Sequence, residues 1–390
     1  MRSEDFRGDK TRPFTGAEYL ASLDDGREVY IGGERVRNVT THPSMRNSAR
    51  SIARLYDAMH ADSTREALTI ATDTGSGGYT HKYFRVARSF QELVAQQGAI
   101  AQWARMSYGW MGRTADYKAA LMNTLGANAD WYGPFKDNAL SWHKRAQESV
   151  LFMNHAIVNP PIDRHKPADA VKDVFVHITK ETDAGIHVSG AKVVATSSAL
   201  THYNFLAQSS ATVTEDASMA VMFIMAMNAP GVKMLCRVSY EETANRVGQP
   251  FDYPLSSRFD ENDAILVLDN VFIPWEDVLV LRDAGKILSF HPASGFMHGY
   301  CFQGCTRFAV KLDFLAGLLA KALRATGGDA FRGNQAALGE VIALRHMFWS
   351  FSNAMAHNPT PWANGAVLPN LEAALAYLHH SLRDNRQPLV

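Results

Sequence analysis

Phe152-Met-Asn-His155-Ala-Ile-Val-Asn-Pro-Pro-Ile-Asp163-Arg164 is where this chain changes character. Before it, apolar residues recur at helical spacing. After it, short runs alternate at period two. The segment places a histidine, an amide, two adjacent prolines and an Asp-Arg pair at that join. A crevice between two packed units is concave and can be closed, so joins of this kind favour ligand sites. A second cluster lies upstream, Gly109-Trp-Met-Gly112-Arg113-Thr-Ala-Asp-Tyr117. Together the two segments offer a cation, a phenol and an imidazole, a set able to surround one aromatic hydroxyl.

Working outward, residues 1–150 read as mainly helical. Thr15-Gly-Ala-Glu18 is a capping box opening a short helix through Leu23. Gly32-Gly33 between Val29–Ile31 and Glu34–Val36 reads as a two-residue hairpin. Helical stripes run through Ser44–Ala61, Phe90–Met106, Ala115–Leu125 and Asn138–Met153. Residues 151–282 read as a β domain. Strands are expected over Asp173–Thr179, Gly185–Ser189, Lys192–Thr196, Met219–Met227, Val232–Val238 and Ala264–Leu268, with Asn228-Ala-Pro-Gly231 as a turn. Short strands this close together point to a barrel or sandwich rather than βα units. Residues 283–390 return to helix, with long segments at Gly299–Ala325 and Ala336–Ala356. The expected class is α+β, in the order helical, β, helical.

The 390 residues are 46% hydrophobic and 20% charged, ordinary for a globular protein. Lys+Arg and Asp+Glu both number 39, so no basic footprint for nucleic acid is present. No apolar run approaches spanning length, and the polar N-terminus is not a secretory signal; a cytoplasmic protein is expected. Cys236, Cys301 and Cys305 are too few for a disulfide scaffold and complete no zinc site, so they read as small buried hydrophobes.

Other motifs carry less. Asp73-Thr-Gly75-Ser-Gly77-Gly78 lacks the ending and the frame of a phosphate loop and reads as a surface or lid turn. No GxGxxG follows a strand, so a dinucleotide fold has no support. There is no HExxH, and His379-His380 fall in a polar tail, so no metal set is expected. Trp103, Tyr108 and Trp110 crowd before Arg113 and would suit the walls of a flat pocket. Arg113 and Tyr117 are four apart, which on a helix places them on one face. Taken singly, that pair reads as a surface arginine on a ring, and His155 as a satisfied buried histidine.

Five stretches carry the reading further: Lys10–Leu20, Thr72–Lys82, Tyr108–Tyr117, Asn154–His165 and Tyr253-Pro-Leu-Ser-Ser-Arg-Phe-Asp-Glu-Asn-Asp263. They resemble the large component of the 4-hydroxyphenylacetate 3-monooxygenases, a two-component flavin-dependent family, and the likeness runs from about residue 4 to about residue 377. The resemblance implies an acyl-CoA-dehydrogenase-like fold that assembles as a homotetramer. It implies ortho-hydroxylation of a phenol with O2 and FAD, delivered as FADH2 by a separate NADH-dependent flavin reductase, through a flavin C4a-hydroperoxide. Carried over by position, Arg113, Tyr117 and His155 are the expected catalytic and substrate-binding residues, joined by Ser210 and Ala211. His155, Asn159, Pro161, Ile162, Asp163, Arg164 and Thr196 are the expected flavin contacts. A segment near Tyr203–Val213 is the expected lid, because the reactive intermediate must be kept from water.

After Tyr377 the resemblance stops and Leu378–Val390 reads as an unrelated polar tail, the pattern of a frameshifted or truncated gene. On that reading the C-terminal helical domain is incomplete, and Phe302–Leu323 and Ala337–Phe351 expose apolar faces. Three functions follow. The first is the phenol hydroxylase, for 4-hydroxyphenylacetate, a chlorophenol or a hydroxyphenylpropionate. The second is an acyl-CoA-dehydrogenase-like enzyme, which needs a carboxylate base in the later helices and holds FAD tightly at rest. The third is an inactive fragment that binds flavin or partner subunits only.

Overall fold

The computed structural model describes residues 2–161, 168–208 and 216–384. Its helices are α1 (Gly16–Ser22), α2 (Arg46–Ala58), α3 (Arg65–Leu68), α4 (Phe90–Arg105), α5 (Ala119–Ala127), α6 (Lys136–Ser149), α7 (Tyr240–Val247), α8 (Ala284–Ala293), α9 (Phe296–Thr326), α10 (Arg332–His357) and α11 (Leu371–Asp384). The capping box forms as expected: Glu18 N–H donates to Thr15 Oγ1 at 3.2 Å, and Thr15 N–H donates to the Glu18 carboxylate at 2.9 Å.

The strands β1 (Glu28–Ile31) and β2 (Glu34–Val36) make the expected hairpin, with Gly32 and Gly33 both at positive φ. It is not a local ornament of the helical region. β1 pairs in parallel with β10 (Val232–Cys236), so the hairpin extends a six-stranded sheet of order β2-β1-β10-β11-β7-β6. Its other strands are β6 (His177–Thr182), β7 (Gly185–Lys192) and β11 (Ala264–Pro274). A four-stranded sheet, β12-β9-β8-β5, joins β12 (Val278–Leu281), β9 (Val221–Ala226), β8 (Tyr203–Leu206) and β5 (Met153–Ala156). A short pair, β3 (Thr69–Ala71) and β4 (Tyr79–His81), carries the Asp73–Gly78 turn. There a Cβ on Gly78 would stand 2.1 Å from the Thr11 carbonyl, so close backbone approach accounts for that glycine.

Several boundaries differ from the sequence reading. Residues 168–174 are a 3-10 turn, and the strand expected from Asp173 starts at His177. The strands expected over Gly185–Ser189 and Lys192–Thr196 are one strand ending at Lys192. Gly190 is not a break in it: a Cβ there would lie 2.3 Å from the Phe175 carbonyl. β11 runs on to Pro274 through a bulge between Leu268 and Val271. The helix expected to reach Met153 stops at Ser149, because Val150 turns left-handed (φ 52°) and releases the chain into β5. α11 continues to Asp384, so Leu378–Asp384, including His379 and His380, is helix rather than tail.

The C-terminal helices divide sharply. The half of α9 up to Leu312 is largely buried, Cys301 and Cys305 included, whereas beyond it α9 and the start of α10 form an antiparallel arm with Leu318, Phe331 and Ile342 exposed. The apolar exposure expected over Phe302–Leu323 is therefore confined to the distal part.

Candidate active site

β5 is fixed from both sides before any functional group is considered. Phe152 N–H donates to His202 Nδ1 at 3.1 Å, and His202 N–H donates to the Phe152 carbonyl at 2.8 Å. His202 Nε2 meets Ser22 Oγ at 2.9 Å, and burial lowers the imidazole to about 3, so it stays neutral. The strand then alternates. Asn154 points into the core and donates to the Thr196 carbonyl at 2.5 Å, while His155 is half-buried.

His155 meets Tyr117 with ring centroids 5.7 Å apart, and the Arg113 guanidinium lies over the Tyr117 ring at 4.2 Å. The three residues expected to work together are therefore together. The expected reason was wrong, however. Arg113 is on an irregular loop, not a helix; Thr114 leads into a 3-10 turn, Ala115–Tyr117, which swings Tyr117 back beneath it. Thr114 Oγ1 donates to Asp116 at 2.5 Å and steadies that turn. Burial raises the Asp116 carboxyl to about 6, opposed by its hydrogen bonds to Thr114 and Gln303.

Buried polar atoms converge here. His155 Nδ1, Tyr117 Oη and Lys118 Nζ make no hydrogen bond of normal geometry among the described residues. Burial pushes His155 well below the ordinary imidazole range, and the Lys118 and Arg113 charges push it further. Burial raises the Tyr117 phenol, while Arg113 opposes that rise. Buried polar groups are normally satisfied, so such a cluster marks a place for a ligand.

Beside this floor lies an open cleft with a volume of about 540 Å³. Arg113, Thr196, Trp110, Arg237, Glu261 and Arg307 line it. Thr196 Oγ1 donates to Asp263 at 2.5 Å. The Asn159 side chain accepts a 2.7 Å hydrogen bond from Lys192, and Pro161 is exposed. Ile162, Asp163, Arg164, Ser210 and Ala211 lie outside the described residues, as does the expected lid from residue 209 onward; its first part, Tyr203–Leu206, is the buried strand β8. Of the three aromatics expected as walls, only Trp110 lines the cleft. Trp103 is core, stacked on His81 at 4.2 Å, and Tyr108 is half-exposed against Phe314.

Sequence reasoning missed Lys118, Glu261 and Arg307. Lys118 directly follows Tyr117, and Glu261 lies inside the quoted Tyr253–Asp263 stretch, so both were within reach of a closer reading.

The 4-hydroxyphenylacetate 3-hydroxylase N-terminal family model matches residues 15–280, and the C-terminal model matches residues 288–384. The chain is 60% identical over 378 residues to the 4-hydroxyphenylacetate 3-monooxygenase oxygenase component of Pseudomonas aeruginosa, covering 97% of this chain and 73% of that protein. It is 56% identical over 366 residues to the 4-nitrophenol 2-monooxygenase oxygenase component of a Rhodococcus species, covering 94% and 70%. A crystal structure of an oxygenase component of 4-hydroxyphenylacetate 3-monooxygenase, complexed with FAD and 4-hydroxyphenylacetate, superposes with a TM-score of 0.86. It is 28% identical, over 93% of this chain and 75% of that one.

Proposed function

This chain belongs to the 4-hydroxyphenylacetate 3-hydroxylase family, and from that membership we propose that it is the oxygenase component of a two-component flavin-dependent monooxygenase. The reaction replaces the ring C–H ortho to a phenol with C–OH. One atom of O2 enters the catechol and the other leaves as water, with two electrons from reduced flavin. The preferred substrate on this reading is 4-hydroxyphenylacetate, giving 3,4-dihydroxyphenylacetate.

One observation carries the proposal: Arg113, Tyr117 and His155 meet around buried polar atoms that lack partners of normal geometry among the described residues, at the edge of a cleft of about 540 Å³. Reduced flavin with O2 would supply an electrophilic oxygen, and the residues around the cleft fit its presence. Thr196, Asn159 and Pro161 would hold it, together with Ile162, Asp163 and Arg164. The protein's own task concerns the phenol. A free phenol has a pKa near ~10, and its ring carbon is a much better nucleophile once the oxygen carries charge. The Arg113 cation favours that charge. His155, kept neutral by burial, accepts a hydrogen bond from the phenol O–H and takes up the proton as attack proceeds. Tyr117 aligns the same oxygen, and Ser210 and Ala211 would receive the rest of the substrate. A separate NADH-dependent reductase would deliver FADH2, and a tetramer in the cytoplasm is the assembly and place we expect.

The test is a single-turnover experiment. Protein premixed anaerobically with reduced FAD and 4-hydroxyphenylacetate is exposed to oxygen, and product is quantified beside parallel runs with 4-nitrophenol, a chlorophenol and hydroxyphenylpropionate. Catechol from 4-hydroxyphenylacetate in the highest yield is expected. Hydrogen peroxide without a catechol from any phenol would rule out the hydroxylase, and a higher yield from another phenol would reassign the substrate.

A further inference from the structure

The segment Asp260–Asp263 touches both ends of the cleft, and no role given above uses it. The Glu261 carboxylate accepts the backbone N–H groups of Arg113 and Gly112. Its own carbonyl accepts Ser197 N–H at 2.8 Å and Ser197 Oγ at 3.1 Å. Two residues on, the Asp263 carboxylate accepts the Thr196 hydroxyl at 2.5 Å, and Ala195 N–H reaches the Ala264 carbonyl at 3.0 Å. Asp260 anchors the segment: it pairs with Arg237 at 2.6 Å and accepts Tyr240 N–H at 2.7 Å and Asn262 N–H at 2.9 Å. The geometry is forced, since Asn262 (φ 35°) and Ser197 (φ 62°), which face each other across it, both hold left-handed backbone.

Glu261 grips the backbone of Arg113 and leaves its guanidinium over Tyr117. The second strut of that loop is Arg307, which donates to the Gly109 carbonyl at 2.9 Å. A carboxylate bonded to main-chain N–H groups makes a strong and directional contact, so it sets loop position while the Arg113 guanidinium stays over the Tyr117 ring.

We propose that Asp260–Asp263 is a positioning element that sets the distance between the phenol end and the flavin end of the cleft, Glu261 acting through Arg113 and Asp263 acting through Thr196. This rests on the reading that Arg113 meets the phenol and Thr196 the flavin. Losing the Glu261 carboxylate lets the Arg113 loop relax while Ser197 and Ala195 stay bound to backbone carbonyls of Glu261 and Ala264; losing the Asp263 carboxylate frees the Thr196 hydroxyl while Glu261 still holds the Arg113 loop. The two carboxylates therefore divide the work, and the division is measurable.

The experiment determines two equilibrium constants on purified protein: FAD affinity by fluorescence titration, and 4-hydroxyphenylacetate affinity by calorimetry under anaerobic reduced FAD. Thermal unfolding is recorded for each variant. In E261A the phenol binds about tenfold more weakly, the scale of a hydrogen bond to a charged group, with FAD affinity held within about twofold. E261Q, which keeps an acceptor oxygen, recovers most of the loss. E261D, which withdraws the carboxylate by one methylene, weakens phenol binding in the same direction and serves if E261A does not fold. D263A shows the reverse split. R113A and T196A are the controls. Weaker phenol binding in R113A but not in E261A or E261D overturns the positioning role of Glu261 alone. Both constants moving together in E261A and D263A overturns the division of work. Unchanged phenol binding in R113A overturns the reading of the site, and this proposal with it.

Discussion

Lys118 and Lys192 are both fully buried, and neither has a carboxylate partner among the described residues, yet they are accommodated in opposite ways. Lys192, at the end of β7, spends its three protons on neutral acceptors: the Ile157 carbonyl at 3.1 Å, Asn159 Oδ1 at 2.7 Å and Gln208 Oε1 at 2.9 Å. Lys118 makes no hydrogen bond among the described residues and sits among rings, 4.3 Å from the centroid of Tyr117, 4.5 Å from Phe296 and 5.9 Å from Tyr300. Burial lowers both amines, Lys192 to about 7 and Lys118 well below its ordinary value, where Arg113 adds repulsion. The difference teaches what each cation is for. Directional bonds to three segments make Lys192 a structural tie. It joins the stretch after β5 to Gln208, inside the segment expected as the lid. Ring faces attract a cation without using up its donors, so Lys118 keeps donors free beside the site.

If the Lys118 side of the molecule is the reacting side, the largest effect belongs to its neighbour His155. H155A should lower single-turnover catechol formation by roughly 10²–10³, the range seen when one preorganised polar group is lost, while unfolding stability stays near wild type. A drop below threefold would move the chemistry away from Tyr117 and His155.

The structural tie should fail differently. K192M leaves the Ile157 carbonyl, Asn159 and Gln208 without their shared donor, and stranded buried acceptors cost about 1–3 kcal/mol each before relaxation. A loss of about 2–4 kcal/mol in urea unfolding at pH 6 is expected, with flavin binding weakened through Asn159. Unfolding indistinguishable from wild type would show that the three bonds only offset the cost of burying the amine.

The two lysines also show what sequence could and could not reveal. The capping box, the Gly32-Gly33 hairpin and the helical–β–helical order were legible because each rests on local chemistry or on period. The meeting of Arg113 with Tyr117 was foreseen through helix geometry, but the chain achieves it with a 3-10 turn, which four-residue spacing cannot distinguish. Lys192 was hidden by a misplaced strand end. Once β7 runs unbroken through Gly190, Ile186, Val188, Gly190 and Lys192 fall on one face, and period two puts the lysine inside. Lys118 offered no such pattern. It follows Tyr117 at the head of α5, where a lysine ordinarily faces water, and only the packing of Phe296 and Tyr300 from α9 closes over it. The flavin contact expected at Thr196 was legible only through resemblance, since the loop that holds Thr196 is tied by Asp263 and Asn154 from distant parts of the chain.

K118M sharpens the contrast by its sign. Methionine matches the length of the lysine stem and suits an aromatic enclosure. Removing an amine that has no hydrogen-bond partner relieves a desolvation penalty, so stability should hold or rise by about 1 kcal/mol. A loss above about 2 kcal/mol in urea unfolding would mean that the ring contacts outweigh burial, and Lys118 would then belong with Lys192 as a structural cation.

A pH dependence separates the two as well. The folded-state value of Lys192, about 7, lies below its unfolded value of about 10.4. Between those values the unfolded chain carries a proton that the folded chain does not. Stability therefore rises with pH across that window and is lowest below pH 7, where holding the amine charged costs the folded state most. Wild type should gain stability from pH 7 to 9 relative to K192M, measured by urea midpoints in matched buffers. The slope from this one group cannot exceed about 1.4 kcal/mol per pH unit. A parallel pair of curves would mean that the Lys192 amine keeps its proton throughout, held by its three acceptors. Its bonds would then offset burial as completely as the rings around Lys118 do not.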